Sequence, residues 1–224
     1  MNLVITLDGP AGAGKSTLAR GLAQALGWTY LDTGAMYRAV TWAALDRGLD
    51  LTDDAILEAL ARMLQIVLEP VPEGTRVTVD GHDVTAAIRS SEVTGQVSRV
   101  AAVAGVREAM VEQQRRLGQL GPLVAEGRDM GTVVFPEAPL KIFVTASPAV
   151  RAARRAEELI RSGRAVDVAV LERELAKRDS LDSSREVAPL RPAEDARTLL
   201  TDGRSIAELL DELRAWAGEI SVSS

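Results

Sequence analysis

The sequence predicts an α/β fold built on a five-stranded parallel sheet with helices on both faces. Three observations carry that expectation. Short apolar runs alternate with stretches of helical periodicity along the 224 residues. A glycine-rich loop joins the first apolar run to the first helical stretch. Polar residues gather at the carboxyl ends of several runs, which is where ligands of such sheets bind.

The first run, Leu3 to Asp8, reads as a buried strand, and Leu18, Leu22, Ala25 and Leu26 recur at helical spacing beyond it. Between them lies Gly9-Pro10-Ala11-Gly12-Ala13-Gly14-Lys15-Ser16-Thr17. This is the G-x-x-x-x-G-K-[ST] pattern in a strand–loop–helix setting. Glycines at 9, 12 and 14 accept backbone angles that a β-carbon resists. Successive N–H groups then turn inward as an anion nest, capped by the positive end of the helix. Lys15 is expected to reach the outer phosphates, and the Ser16 hydroxyl to sit on a magnesium ion. The loop therefore predicts a bound nucleoside triphosphate.

The remaining elements follow in order. Trp28 to Leu31 reads as a second strand ending at Asp32-Thr33-Gly34, and Ala35 to Leu45 as a helix. Thr52 with Asp53 and Asp54 marks a helix start that continues to Leu64. From Gln65 the pattern changes to polar–apolar alternation around an Asp80-Gly81 turn, which predicts a small antiparallel insertion over 65–90. Helices are expected over Ser91–Val103 and Val106–Leu117, and strands over Gly121–Ala125, Leu140–Val144 and Arg197–Thr201. Ser147 followed by Pro148 is a helix start rich in arginine beyond it. Further helices are expected over Asp167–Asp182 and Ser205–Trp216, with Ser221 to Ser224 as a loose tail.

Composition excludes several chemistries. There is no cysteine, so disulfides, thiolate metal sites and a cysteine nucleophile are out. The single histidine, His82, sits in a turn signal and leaves no room for a Ser-His-Asp triad. A net charge of −6 argues against general nucleic-acid or membrane binding. Neither a signal peptide nor a transmembrane run is evident, so the expectation is a cytoplasmic protein. Asn2 is the only asparagine and no aspartate has glycine three residues later, which removes the guanine-nucleotide switch pattern.

A second set of residues is suited to a second anion. Arg178, Asp182 and Arg185 share one helical face if that helix runs far enough, and Arg128 with Asp129 sits just past a strand end. Arginine grips phosphate bidentately, while a carboxylate reads donor edges or sugar hydroxyls. Each pair alone also fits a surface salt bridge. Arg151, Arg154 and Arg155, with Arg161 and Arg164, form another cluster, which equally fits a solvated helical face. Residues 148–191 carry a net +2 and the remainder −8, a contrast that suits a mobile lid closing over phosphates.

Gly9 to Thr17, Tyr30 to Arg38, Glu126 to Pro136, Arg178 to Arg185 and Ala188 to Ala196 occur in this order, and together they resemble the bacterial cytidylate kinases. The resemblance implies a P-loop nucleoside-monophosphate-kinase core over 1–64 and 91–224, a lid near 148–166, and 65–90 as the insertion of the monophosphate-binding domain. It implies ATP with Mg2+ as cofactors and CMP and dCMP as substrates. By position it assigns Arg107 and Arg128 to the CMP phosphate, Arg178 with Asp182 to cytosine or its phosphate, and Arg185 to phosphate. Thr33, Ser98 and Asp129 are assigned to base and sugar. The loop and the basic segment themselves lead us to expect Lys15, Arg151, Arg154 and Arg155 to stabilise the transferred group. Two rival readings are a small-metabolite kinase of the shikimate or gluconate type and a non-catalytic nucleotide-binding regulator.

Overall fold

The computed structural model describes residues 3–71, 74–161, 163 and 165–221. Strand β1 (Val4–Asp8) lies at the centre of a parallel five-stranded sheet. The others are β2 (Thr29–Asp32), β6 (Leu123–Gly127), β7 (Leu140–Thr145) and β8 (Arg197–Leu200), in the spatial order β2-β6-β1-β7-β8. β1 and β6 are buried along their whole length, which is why they read as continuous apolar runs rather than as alternation. From β1 the chain passes through α1 to β2 on one side, and later it crosses from β6 past β1 to β7 on the other. A crevice therefore opens beyond its carboxyl end, where the glycine loop lies.

The pleat divides the core in two. Ile5, Leu7, Val124, Ile142 and Val144 face α1 (Lys15–Leu26) and α8 (Ile206–Ser221). Val4, Leu123 and Ala125 face the other way, with Met36 and Val40 of α2 (Thr33–Asp46), Leu57 and Leu60 of α3 (Asp54–Met63), and Val106 and Met110 of α5 (Ala104–Gly118). Strands β3 (Ile66–Val71), β4 (Gly74–Val79) and β5 (His82–Asp83) pair antiparallel, as the alternation predicts. Their apolar face, Val77 and Val79 with Val84, continues this second core rather than closing on itself. His82 is exposed there.

Local chemistry sets the element ends. Asp32 caps α2 by accepting from the Ala35 N–H at 2.9 Å, so that helix starts at Thr33, two residues before the expected Ala35. Asp53, within the start that Thr52 to Asp54 marks, caps α3 by accepting from the Ile56 N–H at 3.0 Å. Helix α4 (Ser91–Val100) stops three residues short of the expected Val103, because a tight turn brings the Val103 N–H to the Val100 carbonyl, and α5 begins directly after it. After the arginine-rich α6 (Pro148–Arg161), α7 (Val168–Ser183) ends before Arg185. α8 runs on past Trp216 to Ser221, while the rest of the expected tail, 222–224, lies outside the described residues, as does Arg164.

One element has no periodic signature in the sequence, a π-helical turn over Met130–Val134. Asp8 at the end of β1 accepts from the Met130 and Gly131 N–H groups, both at 2.8 Å. Burial pushes the Asp8 carboxyl up to about 6 against the pull of those two bonds. The turn is thereby tied to the same strand end that launches the glycine loop.

Candidate active site

The loop is held open by packing as well as by its glycines. Gly9 has φ 148°, and a β-carbon there would stand 2.0 Å from the Val144 carbonyl oxygen on the neighbouring strand. Gly14 takes φ 95° as the N-cap of α1 and offers no side-chain acceptor, so the first N–H groups of the helix are left for an anion. Lys15 is buried, and its Nζ turns back to the Pro10 carbonyl at 2.7 Å. Burial, reinforced by the Arg128 charge, pushes its ammonium down to about 7.

Ser16 is exposed, and its hydroxyl donates to Glu126 Oε2 at 2.9 Å. Glu126, next to last in β6, lies in register with Asp32 of β2. Its other oxygen accepts from the Tyr30 hydroxyl. Burial, with Asp32 beside it, pushes the Glu126 carboxyl above the usual carboxylate range. The Glu126 carbonyl in turn accepts from Thr33 Oγ1 at 2.6 Å.

Across the crevice Asp182 gathers the second group. One of its oxygens accepts from Arg128 Nε at 2.8 Å and the other from Arg185. Burial works against charge on Asp182, yet Arg128 and Arg185 outweigh it and hold the carboxyl below the usual range. Arg178 adds a third guanidinium, pushed down to about 10 by burial and by Arg128. Arg107 on α5 pairs with Asp129, both buried, and lies over the Tyr37 ring at 5.4 Å. Arg38 pairs with Asp32 at 3.1 Å and contributes to the charge felt by Arg178. Five arginines thus share three carboxylates. Among the described residues, Nε of Arg38, Arg107, Arg178 and Arg185 is buried and makes no hydrogen bond. Buried guanidinium donors in excess of their acceptors are a receptor for an oxyanion.

Helix α6 rests on the loop itself. Arg151 donates to the carbonyls of Ala11 and Ala146, each at 3.2 Å, and to Asp179 of α7 at 2.5 Å. Arg154 donates to the Ala13 carbonyl at 3.3 Å and to the Thr201 hydroxyl at 2.8 Å. Arg155 turns along its own helix to Glu158 at 2.9 Å. A β-carbon on Gly12 would come within 3.2 Å of Arg151, so the loop glycine also makes room for the helix.

The structure groups Lys15, Ser16, Thr33, Arg107, Arg128, Asp129, Arg178, Asp182 and Arg185 around the carboxyl ends of β1, β2 and β6. Ser98 is half-buried on α4, which packs against α7. Arg185 reaches Asp182 although it lies beyond the end of the helix they were expected to share. Sequence reasoning did not single out Arg38, Tyr30 or Thr201. Nor did it link Glu126 to Ser16, a contact spanning 110 residues that only the sheet order creates. Arg38 could have been found at i+6 from Asp32, on the first turns of a helix leaving a strand end.

Loop, helix and sheet order together make this a P-loop kinase fold. Within that class the chain belongs to the cytidylate kinase family, whose profile matches residues 5–218. It is 54% identical over 212 residues to a bifunctional pantoate ligase/cytidylate kinase of Prochlorococcus marinus (strain MIT 9303), covering 94% of this chain and 43% of that protein. It is 55% identical over 215 residues to the protein of the same description in Synechococcus elongatus, covering 94% and 41%. The chain thus spans less than half the length of these relatives. A crystal structure of an uncharacterized protein from Eubacterium ventriosum superposes with a TM-score of 0.54 at 10% identity, covering 98% of this chain and 99% of that one. That likeness concerns the fold alone.

Proposed function

We propose that the chain transfers the γ-phosphoryl group of ATP to CMP and dCMP, giving ADP with CDP or dCDP. The observation that carries this reading is the pair of anion receptors facing each other, backbone amides and Lys15 on one side and the Asp182-centred arginines on the other. Arg128 links them, since its charge acts on both Lys15 and Asp182. Membership in the cytidylate kinase family supports the acceptor.

ATP lies along Gly9 to Thr17, with its outer phosphates against Lys15. A triphosphate restores to the buried ammonium the charge partner it lacks, and raises its proton affinity. The CMP phosphate is gripped by Arg128, Arg107, Arg178 and Arg185, and the phosphate oxygen attacks in line. That oxygen is already largely ionised at neutral pH, since the second pKa of such a monoester is about 6, so no protein base is needed. Holding both partners in line supplies about 7–11 kcal/mol of the barrier. Lys15 stabilises the charge on the transferring group, while Arg151 and Arg154 brace the loop that holds it. The region 148–166 acts as the lid, with Arg155 as its outer cation, and 65–90 enlarges the acceptor side. Asp182, Asp129 and Ser98 read base and sugar. Thr33 donates its proton to the Glu126 carbonyl, so its oxygen has only lone pairs to offer. Such an oxygen accepts from the amino group of cytosine and repels the carbonyl of uracil.

The donor set also fits Mg2+. That ion keeps waters and substrate phosphates and takes few protein oxygens. Ser16 presents an exposed hydroxyl whose proton is held by a carboxylate, so its oxygen is free to bind a cation, with Glu126 and Asp32 behind it. When bound, the ion neutralises charge on the β- and γ-phosphates. No described helix is long and apolar enough to cross a membrane. We take the protein to act in the cytoplasm, as a monomer, without nucleic-acid partners.

A coupled ADP-release assay across CMP, dCMP, UMP, AMP and shikimate tests the reading. Turnover with CMP and dCMP is expected. Turnover with shikimate and none with CMP would point to a small-metabolite kinase, and no turnover with any acceptor to a nucleotide-binding regulator.

A further inference from the structure

Tyr30 turns its hydroxyl to the Glu126 carboxylate, and nothing in the proposed reaction uses it. It lies on the edge strand β2 with its ring packed against the α1-side core. Its hydroxyl donates to Glu126 Oε1, while Ser16 donates to Oε2 of the same carboxylate. Arg20, one helical turn beyond Ser16, lies over the Tyr30 ring at 6.0 Å. The ring is thus held from three sides, by the core, by Arg20 and by the carboxylate. Glu126 has both oxygens committed to donors that point from different elements, so its orientation is fixed before any ligand arrives.

We infer that Tyr30 is a positioning residue for Mg2+-dependent nucleotide binding, acting through Glu126 on the Ser16 hydroxyl. The inference rests on the proposed placement of Mg2+ at Ser16. A serine oxygen binds a cation better when its proton is drawn away by a fixed acceptor. Partners in this outer position are worth roughly 10–100-fold in metal affinity. Without the phenol, Oε1 becomes a buried acceptor with no hydroxyl donor, and the carboxylate is free to rotate away from Ser16. Tyr30→Phe removes that one bond and keeps the ring. Because Tyr30 is one step further out than Glu126, its effect falls at or just under the low end of that range, roughly three- to tenfold.

The test is calorimetric titration of ADP into the full chain, once with excess Mg2+ and once with EDTA. The readout is the ratio of the two dissociation constants. In Tyr30→Phe that ratio is expected to shrink three- to tenfold, with binding in EDTA unchanged. Loss of packing alone would weaken both titrations together and overturn the inference, as would an unchanged ratio. Glu126→Gln serves as the reference, with thermal melting to confirm that both variants are folded. If Glu126→Gln collapses the ratio and Tyr30→Phe does not, the role of Tyr30 fails while the metal placement stands. If neither variant changes a clear wild-type dependence on Mg2+, the placement at Ser16 fails and takes the inference with it.

Discussion

Replacing Asp182 by alanine removes the carboxylate shared by Arg128 and Arg185, in a site where Asp182 is 1% exposed. Breaking a buried ion pair by deleting one partner costs about 3–5 kcal/mol, because the remaining charge stays buried and unpaired. Here two guanidinium groups lose their partner at once, with the Arg178 and Arg107 charges close by. For a chain of this length each kcal/mol lowers the melting temperature by about 2–4 °C, so a drop of roughly 6–20 °C follows. The functional effect is directional. If about 2 kcal/mol of that loss is felt as misplacement of Arg128 and Arg185, the KM for CMP rises about 30-fold. In the proposed arrangement ATP contacts the loop and not Asp182, so its KM should move by less than about threefold. Steady-state coupled assays with each substrate varied in turn, at a temperature well below the variant's melting point, measure both. Equal rises in the two KM values, or a rise for ATP alone, would place Asp182 outside the acceptor site and refute the argument.

Three further outcomes are expected. Lys15→Ala should lower turnover at least about 100-fold, the scale for losing one preorganised charge-stabilising donor, while the melting curve stays cooperative; near-normal turnover would remove Lys15 from the phosphates. Because the free Lys15 ammonium titrates near 7, ATP binding at pH 8 should take up protons, and the uptake should fade toward pH 6. Titrations in buffers of different ionisation enthalpy read this directly, and buffer-independent heats at pH 8 would contradict it. Gly9→Ala puts a β-carbon against the Val144 carbonyl and should cost at least about 3 kcal/mol, or roughly 6–12 °C in melting temperature, with ATP binding lost alongside.

Much of the fold is written in local pattern. The loop is legible because glycine spacing, Lys15 and the flanking strand and helix all lie within about two dozen residues. The inner strands β6, β1 and β7 are legible because burial on both faces leaves nearly continuous apolar runs. The shorter and more exposed edge strands β2 and β8 carry a weaker signal. The antiparallel unit is legible because alternation is equally local. Asp182 and Arg185 could be paired from spacing alone, although the helix stops between them. What stayed hidden depends on sheet order. Nothing in the neighbourhood of Glu126 announces that it meets Ser16 from α1 and Tyr30 from β2, since those contacts exist only because β6 lies between β1 and β2. The π-helical turn over Met130–Val134 is five residues long and is stabilised by Asp8 from another strand, so no periodicity could reveal it. The arginines of α6 read as a charged stretch in sequence; that Arg151 and Arg154 meet the loop carbonyls follows from α6 packing over Gly12.

The proposed kinase reaction requires one site to grip two anions within bonding reach of each other. A ligand carrying adenosine and cytidine joined through five phosphates measures this most directly by calorimetry. Binding at least about 100-fold tighter than that of ATP or CMP alone is expected, because the second contact becomes intramolecular, with the gain lost in both Lys15→Ala and Asp182→Ala. Affinity no greater than that of ATP alone would contradict it.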